Sequence, residues 1–428
     1  MKNLTPDEIL NEIEKIRISN NWLNDEKSQP LNKTEIAALP RIPKDWKWVS
    51  VHQLSKFITN GVHTPTSFED CNGYGLHCLR ITDIQKNDDI NYDKLPYCLR
   101  IIEGDYDKKL KKGDIYFSFT GNNLGKRYIV KEDRDDAVFA HYFVRWQPIL
   151  VNPYYIYYVT HSSVYNYFIN GHKLGSSQPN LKVTDLKRFP IPLCDLITQD
   201  KIVNILRNID DKISINNKIN NNLYEMGDNL YNEYFGKYKD NLPSDYKIVK
   251  LNEVADNYDS KRKPMSSRER EQHKGIYPYY GATSIIDYVD NYIFDDTYLL
   301  MGEDGTVKTD DGYPVLQYIW GKNWINNHAH VLKGKNISTE LLMFALRKIN
   351  IENIITGAVQ PKINQENMNK IEFVIGSDSK NKELEVILKN LMDKSKNIIE
   401  ENERLEQLRD TLLPKLMNGE IDLDNIEI

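Results

Sequence analysis

Long apolar runs are missing from this 428-residue sequence. No uninterrupted stretch approaches the roughly 18 residues that a membrane-spanning helix requires, and mean hydropathy is −0.60. The opening residues 1–10 carry acids where a secretion signal needs a basic end and an apolar core, so a cytoplasmic protein without a membrane role is expected. Cysteine is scarce. Cys71, Cys78, Cys98 and Cys194 are too scattered for a disulfide framework and form no CxxC pair; they are expected to be reduced and packed inside. An excess of basic charge is lacking too: 56 Lys and Arg against 62 Asp and Glu leave −6. That argues against indiscriminate nucleic-acid binding but permits a local basic face. Wholesale disorder is excluded by a hydrophobic fraction of 40%.

Catalytic signatures are absent as well. There is no GxxxxGK[ST] to cradle nucleotide phosphates, no GxGxxG after a strand and no GxSxG elbow. Nine histidines form no HExxH; His328 and His330 can share one face of a strand, but without a third ligand nearby a structural role is expected and no metal. Asn152-Pro153-Tyr154-Tyr155 approaches the Asn-Pro-Pro-aromatic motif of amino-methyltransferases, but the second proline is missing. It reads as the opening of a helix. No catalytic residue is assigned.

What is present is an internal repeat. Ile42-Pro43-Lys44-Asp45-Trp46-Lys47-Trp48-Val49 is echoed by Leu242-Pro243-Ser244-Asp245-Tyr246-Lys247-Ile248-Val249. Asp114-Ile115-Tyr116-Phe117 is echoed by Asp296-Thr297-Tyr298-Leu299, and Gly175-Ser176-Ser177-Gln178-Pro179 by Gly357-Ala358-Val359-Gln360-Pro361. Seven-residue spacing then sets Ile202, Ile209, Asn216, Leu223 and Leu230 against Leu384, Leu391, Ile398, Leu405 and Leu412. Such heptads predict two long helices with a coiled-coil seam, each reaching roughly 50 Å at 1.5 Å per residue. Asn220 and Asn402 take equivalent seam positions, either as register pins or as idle interruptions.

The domain plan follows. Residues 1–40 form an N-terminal helical extension and linker, opened by the capping box Thr5-Pro6-Asp7-Glu8 and carrying Gln29-Pro30. This helix docks either on the globular half or on a partner. Residues 41–196 and 237–378 are globular, with alternating apolar stretches and glycine turns that predict mixed α/β structure rich in sheet. Residues 197–236 and 379–420 are the helices, and 421–428 a tail.

Each globular segment holds one basic run. Residues 108–134 carry eight Lys or Arg against three acids, 8 − 3 = +5; residues 261–274 carry six against two, 6 − 2 = +4. In the first, Lys108, Lys109, Lys111, Lys112, Asn122, Asn123, Lys126 and Arg127 are candidate DNA contacts; in the second, Lys261, Arg262, Lys263, Ser266, Arg268 and Arg270. Lys and Arg would position phosphates, while Arg, Asn and Ser can read base edges. A solvated charged face is the alternative for either run alone.

This arrangement resembles the specificity subunit of type I restriction–modification systems over residues 41 to about 420. The resemblance rests on the paired openings, the paired Gly-x-x-Gln-Pro segments, Tyr279-Tyr280-Gly281-Ala282-Thr283 followed by Gly302-Glu303-Asp304-Gly305, and the closing run from Leu405 to Gly419. It implies two target-recognition domains separated by two long antiparallel coiled-coil helices, in a pseudo-twofold repeat. It also implies an asymmetric, bipartite duplex DNA target with an unread gap. Two methyltransferase subunits using S-adenosylmethionine would modify adenine at N6; restriction–translocase subunits would add ATP- and Mg2+-dependent cleavage. This chain would be non-catalytic and hold no cofactor. Three alternatives stay open: the recognition chain of a methyltransferase–nuclease fusion system, a self-contained nuclease or methyltransferase, and a coiled-coil protein-interaction scaffold that does not bind DNA.

Overall fold

The structure is a computed structural model that describes residues 3–20, 30–84, 90–173, 181–357 and 360–423. The segment 175–179, positions 358 and 359 of its echo, Gln29 of the linker and the last five residues of the tail lie outside the described residues. The chain divides into two compact units: Met1–Lys212 together with Arg404–Ile428, and Ile213–Glu403.

In the first unit, α1 (Pro6–Ser19) starts at the expected capping box, with Thr5 N donating to the Glu8 carboxylate at 2.9 Å. Its apolar stripe buries Ile9 and Ile13, and the buried Arg17 guanidinium donates to the Ser55 carbonyl at 2.7 Å. The helix therefore docks on the globular part of its own unit.

Strand β1 (Lys47–Ser50) pairs antiparallel with β6 (Pro190–Leu193). Between them lie β2 (Ser55–Asn60), β3 (Ile115–Ser118), β4 (Arg127–Ile129) and β5 (Phe143–Pro148), which form an antiparallel sheet in the order β2-β5-β3-β4. All four residues of β3 are buried because both faces of the sheet are covered. Ile115, Phe117, Val144 and Trp146 face one core with Tyr155 and Phe189, while Tyr116, Tyr128 and Phe143 face another with Leu79 and Phe139. A five-stranded sheet containing His77–Leu79 and Arg134–Phe139 supplies the second layer. Asn152 caps the helix Pro153–Val159 by accepting from Tyr154 N at 2.9 Å, which gives that tetrapeptide a structural role.

The second unit repeats the plan. Strand β7 (Lys247–Lys250) pairs antiparallel with β12 (Glu372–Ile375). Between them, β8 (Ala255–Asn257), β9 (Tyr298–Gly302), β10 (Leu316–Ile319) and β11 (Ala329–Gly334) form a sheet in the order β8-β11-β9-β10. This is the order of the first unit, strand for strand. The sequence echoes at 42–49 and 242–249 lead into β1 and β7, and those at 114–117 and 296–299 into β3 and β9.

Two long helices, α2 (Leu196–Tyr234) and α3 (Asp378–Met417), each contribute to both units. Within the first unit, Ile202 and Leu206 share a core with Leu413, Leu416 and Met417, and Arg409 donates to Asp210 at 3.0 Å. Within the second, Asn216 Nδ2 donates to Asn402 Oδ1 at 2.8 Å, and Tyr234 Oη donates to Glu383 at 2.8 Å. Residue numbers rise along one helix as they fall along the other, so the pairing is antiparallel in each unit.

Of the seam positions, Ile202, Ile209, Leu223, Leu384 and Ile398 are buried, whereas Leu230, Leu391, Leu405 and Leu412 are only half-buried. In α3 the stripe runs Leu384, Leu388, Met392, Ser395, Ile398, Asn402 and resumes at Leu413 and Leu416. An α-helix drifts about 20° per heptad against a strict seven-residue repeat, so the buried line walks off the heptad positions. Asn402 lies in that line, and Asn216 and Asn220 face it from α2, all three buried. Cys71, expected inside, is exposed: it lies in an exposed turn, residues 69–75, in which Asp70 accepts from Gly75 N at 2.8 Å. The other three cysteines are buried. Among the described residues no helix is long and apolar enough to cross a membrane.

One buried carboxylate gives the first unit a pH dependence. Asp114 accepts from Gln147 at 2.9 Å and lies 3.7 Å from Arg145, yet burial pushes its carboxyl up to about 6. A carboxyl raised above its unfolded value destabilises the fold once it must ionise, so this contribution falls as pH rises from about 4 to 6. Asp114→Asn should match the parent in urea denaturation near pH 4. It should exceed it by up to about 3 kcal/mol at pH 7, at about 1.4 kcal/mol per pKa unit. A pH-independent difference between the two proteins would refute this.

Candidate nucleic-acid interface

The same end of both four-stranded sheets gathers the loops that carry exposed polar and basic side chains. In the first unit this end lies where β2 leaves, β3 leaves and β5 enters. Residues 61–63, 119–126 and 140–142 meet there: Phe119 N donates to the Tyr142 carbonyl, and His141 N to the Val62 carbonyl at 2.9 Å. In the second unit the corresponding loops are 258–266, 303–306 and 326–328. Leu181 N donates to the Phe119 carbonyl and Ile363 N to the Glu303 carbonyl, both at 2.8 Å. Those donors are 182 residues apart, so in both copies the strap after the Gly-x-x-Gln-Pro position lands on the same place.

The first basic run is split by β3. Asn123, Lys126 and Lys108 lie at the loop end; Lys126 is exposed and the Lys108 ammonium donates to the Gly61 carbonyl at 3.2 Å. Asn122 belongs to the same turn, Gly121–Asn123, and its side chain lies outside the described residues. Lys111 and Lys112 lie at the opposite end of β3, and Lys109 sits on the strand Lys109–Leu110. The excess charge is also partly neutralised by acids beyond the counted window. Lys111 pairs with Asp135 at 2.8 Å, Lys108 with Asp105 at 3.0 Å, and Arg134 with Asp136 at 2.8 Å. Arg127 stacks its guanidinium over Tyr165 at 5.3 Å, lining a cavity of about 280 Å³ with Lys126, Asn166 and Asn170.

The second run divides by role. Lys261, Lys263 and Arg268 are exposed, with the Lys261 ammonium 4.9 Å from the centre of the Tyr258 ring. Ser266 accepts from Glu269 N as the cap of the helix Ser267–Gln272. Arg270 donates to Asp287 at 3.0 Å and to the Met265 carbonyl at 2.8 Å, so its guanidinium shapes the loop internally.

Arg262 is internal too. Its Nη1 donates to Glu303 and to the Ala329 carbonyl, both at 2.6 Å, and its Nε to the Asp259 carbonyl at 3.1 Å. Asp259 is the hub. It accepts from Val331 N at 2.8 Å and Gln365 at 2.7 Å, and its Oδ2 lies 2.6 Å from His330 Nδ1. His330 Nε2 in turn faces the Ile363 carbonyl at 2.8 Å. Burial alone would raise the Asp259 carboxyl; the hydrogen bonds from His330, Val331 and Gln365 reverse this and hold it at about 2.

Asp259, Glu303 and His330 bring ligand-type atoms within 4.8 Å of one another. The Arg262 guanidinium and the Lys362 ammonium, 3.2 Å from Glu303, already supply the positive charge such a trio would draw. The arrangement is an ion-pair network that ties three loops together. Its members lie up to 106 residues apart in sequence, and only the His328–His330 spacing hinted at it. Three rings in the first unit, His63, His141 and Tyr142, also lacked any sequence signal.

Comparisons with known proteins agree with this geometry. The family described as the type I restriction modification DNA specificity domain matches residues 43–225 and 243–409, once for each copy of the repeat. A Haemophilus influenzae protein named as a type I restriction enzyme specificity subunit is 34% identical over 126 residues, 29% of this chain and 32% of that protein. The HindI specificity subunit of the same organism is 24% identical over 199 residues, 45% of this chain and 41% of that protein. The chain thus spans about a third to two fifths of the length of these two relatives. The solved S subunit of a type I restriction–modification system from M. genitalium shares the fold. Its TM-score is 0.54 at 16% identity, covering 91% of this chain and 99% of that one.

Proposed function

Because the chain belongs to the type I restriction modification DNA specificity family, we propose that it reads an asymmetric, bipartite duplex DNA target, one half-site per unit, in the cytoplasm. The observation that carries this reading is the repeated sheet order, β2-β5-β3-β4 and β8-β11-β9-β10, which presents different side chains at the same loop end in each copy. Two homologous scaffolds with unlike loops suit two unlike half-sites. The basic side chains at those ends, Lys126 in one and Lys261, Lys263 and Arg268 in the other, would position phosphates; the amides would approach base edges.

In this reading the chain is the address and not the catalyst. Two methyltransferase subunits would use S-adenosylmethionine to methylate adenine at N6, and restriction–translocase subunits would use ATP and Mg2+. No cofactor is assigned to this chain, since its buried carboxylate–histidine cluster is already satisfied by Arg262 and Lys362.

The test is to map N6-methyladenine across the host genome with the gene intact and deleted. A bipartite motif that disappears on deletion is expected. A motif that persists unchanged, in a host whose methyltransferase co-purifies with this chain, would overturn the proposal.

A further inference from the structure

At the loop end of the first unit, three rings cluster, two of them stacked and the third tilted against the pair. The His63 and His141 rings lie 3.9 Å apart at 21°, and the Tyr142 ring follows at 3.7 Å and 40°. His63 is exposed and Tyr142 is half exposed, at 50%. Their chain neighbours do the opposite: Val62 and Ala140 are buried, in one cluster with Cys78, Cys98 and Val138. His63 follows the buried Val62, and His141 and Tyr142 form the turn between the buried Ala140 and Phe143, so the rings stand outside this cluster. Among the described residues no side-chain hydrogen bond engages His63 or Tyr142, which leaves the His63 imidazole and the phenol hydroxyl unspent, while the His141 imidazole is held by the Val62 backbone.

The backbone beneath the stack is rigid. Val62 N donates to the Phe139 carbonyl at 2.8 Å and His141 N to the Val62 carbonyl at 2.9 Å. A Cβ on Gly61 would lie 2.2 Å from the Phe139 oxygen and 2.3 Å from the Ala140 oxygen, so the two segments touch backbone to backbone. Rigid rings with few torsions contact a partner at low entropic cost. The position matters equally. His63 follows β2 as Lys261 and Lys263 follow β8, and Tyr142 precedes β5 as His328 precedes β11. The stack therefore stands where the second unit has its basic run, beside Lys126, Asn123 and Lys108.

We propose that His63, His141 and Tyr142 are specificity-determining residues of the first unit, presenting imidazole and phenol groups to base edges and sugars of one half-site of duplex DNA. This rests on the reading that the chain specifies a DNA target. It makes the two readers chemically unlike: the first reads chiefly through flat aromatic rings, flanked by few cations, and the second through a cationic loop. A purely packing role for the stack predicts no effect on sequence choice.

The test uses the purified complex of the full chain with its methyltransferase subunits, and duplexes carrying the mapped target intact or with either half-site scrambled. In the natural complex, scrambling either half should weaken binding. In His63→Ala/Tyr142→Ala, binding to the intact target should fall about tenfold or more, the size of one or two base contacts. Scrambling one half-site should then cost nothing further, while scrambling the other still does. Lys261→Ala/Lys263→Ala should show the converse half-site. His63→Gln and Tyr142→Phe, which keep volume and disturb folding least, should shift base preference within that same half-site alone. Undiminished discrimination of both half-sites in all four ring substitutions would overturn the proposal. So would equal loss at both halves in a complex that still assembles. A natural complex that discriminates neither half-site would instead sink the parent reading.

Discussion

Asp259→Ala is expected to destabilise residues 213–403 by about 3 to 5 kcal/mol, the usual cost of breaking a buried ion pair by removing one partner. Asp259 is 7% exposed and His330 0%. Without the carboxylate, His330 Nδ1, Gln365 Nε2 and Val331 N lose their acceptor in a place that water reaches poorly. Arg262 keeps Glu303 but loses its second carboxylate, 3.5 Å away. The effect should be visible as lost amide protection across Ala329–Gly334, where Val331 donates to the missing oxygen. A midpoint shift equivalent to less than 1 kcal/mol in urea would refute the network's role. Acid should mimic the mutation. The Asp259 carboxyl sits at about 2 in the folded chain, below its unfolded value, so its contribution is complete above about pH 4 and fades as pH falls toward 2. The sign is opposite to that of Asp114, and the two units should respond differently to acidification below pH 6.

Gly61→Ala is expected to cost more than about 3 kcal/mol, above the ordinary range for overpacking, because the new methyl meets backbone and not a movable side chain. Distances of 2.2 to 2.5 Å to Phe139 and Ala140 atoms leave no rotamer to adjust. Relief requires β2 to separate from the 139–141 segment, breaking the bonds of Val62 to Phe139 and of His141 to Val62. Thermal unfolding of the purified chain would measure the loss. Gly73→Ala serves as a control, since its Cβ would meet nothing within 4 Å and only its left-handed φ of 67° resists. If the two variants melt together, the close approach at Gly61 is not a constraint.

How much of this was legible in advance depends on the range over which each interaction acts. The capping box at Thr5 and Glu8 and the two long helices are local patterns, and the sequence displayed them. The repeat was legible because both copies keep their order, and the identical strand orders give it a physical basis. Charge runs were less informative. Counting residues 108–134 stopped one residue short of Asp135 and Asp136, which pair with Lys111 and Arg134. A strand in the middle of the run sent Lys111 and Asn123 to opposite ends. Arg262 and Arg270 looked available because their acidic partners, Glu303 and Asp287, lie 41 and 17 residues downstream. The His63–His141 stack joins residues 78 positions apart, 141 − 63, with no period to betray it. In α3, Met392 replaces Leu391 on the buried line because the helix turns every 3.6 residues and the heptad does not.

The division of the chain also orders events in time. Residues 213–403 are contiguous, so that unit has all its parts once they have left the ribosome. The first unit does not. Leu413, Leu416 and Met417 complete its core beside Trp46 and Ile202, and Gly419 packs so closely on Pro43 that a Cβ there would lie 2.3 Å from the proline ring. At translation speeds of 5 to 20 residues per second, the 207 positions from residue 212 to Gly419, 419 − 212, take roughly 10 to 40 s to appear. During that interval the first-made half waits with an open apolar face, while the later-made half can already be folded. A released chain truncated after residue 403 should therefore protect its second unit from protease and not its first. The half made earlier is then the half whose folding finishes later.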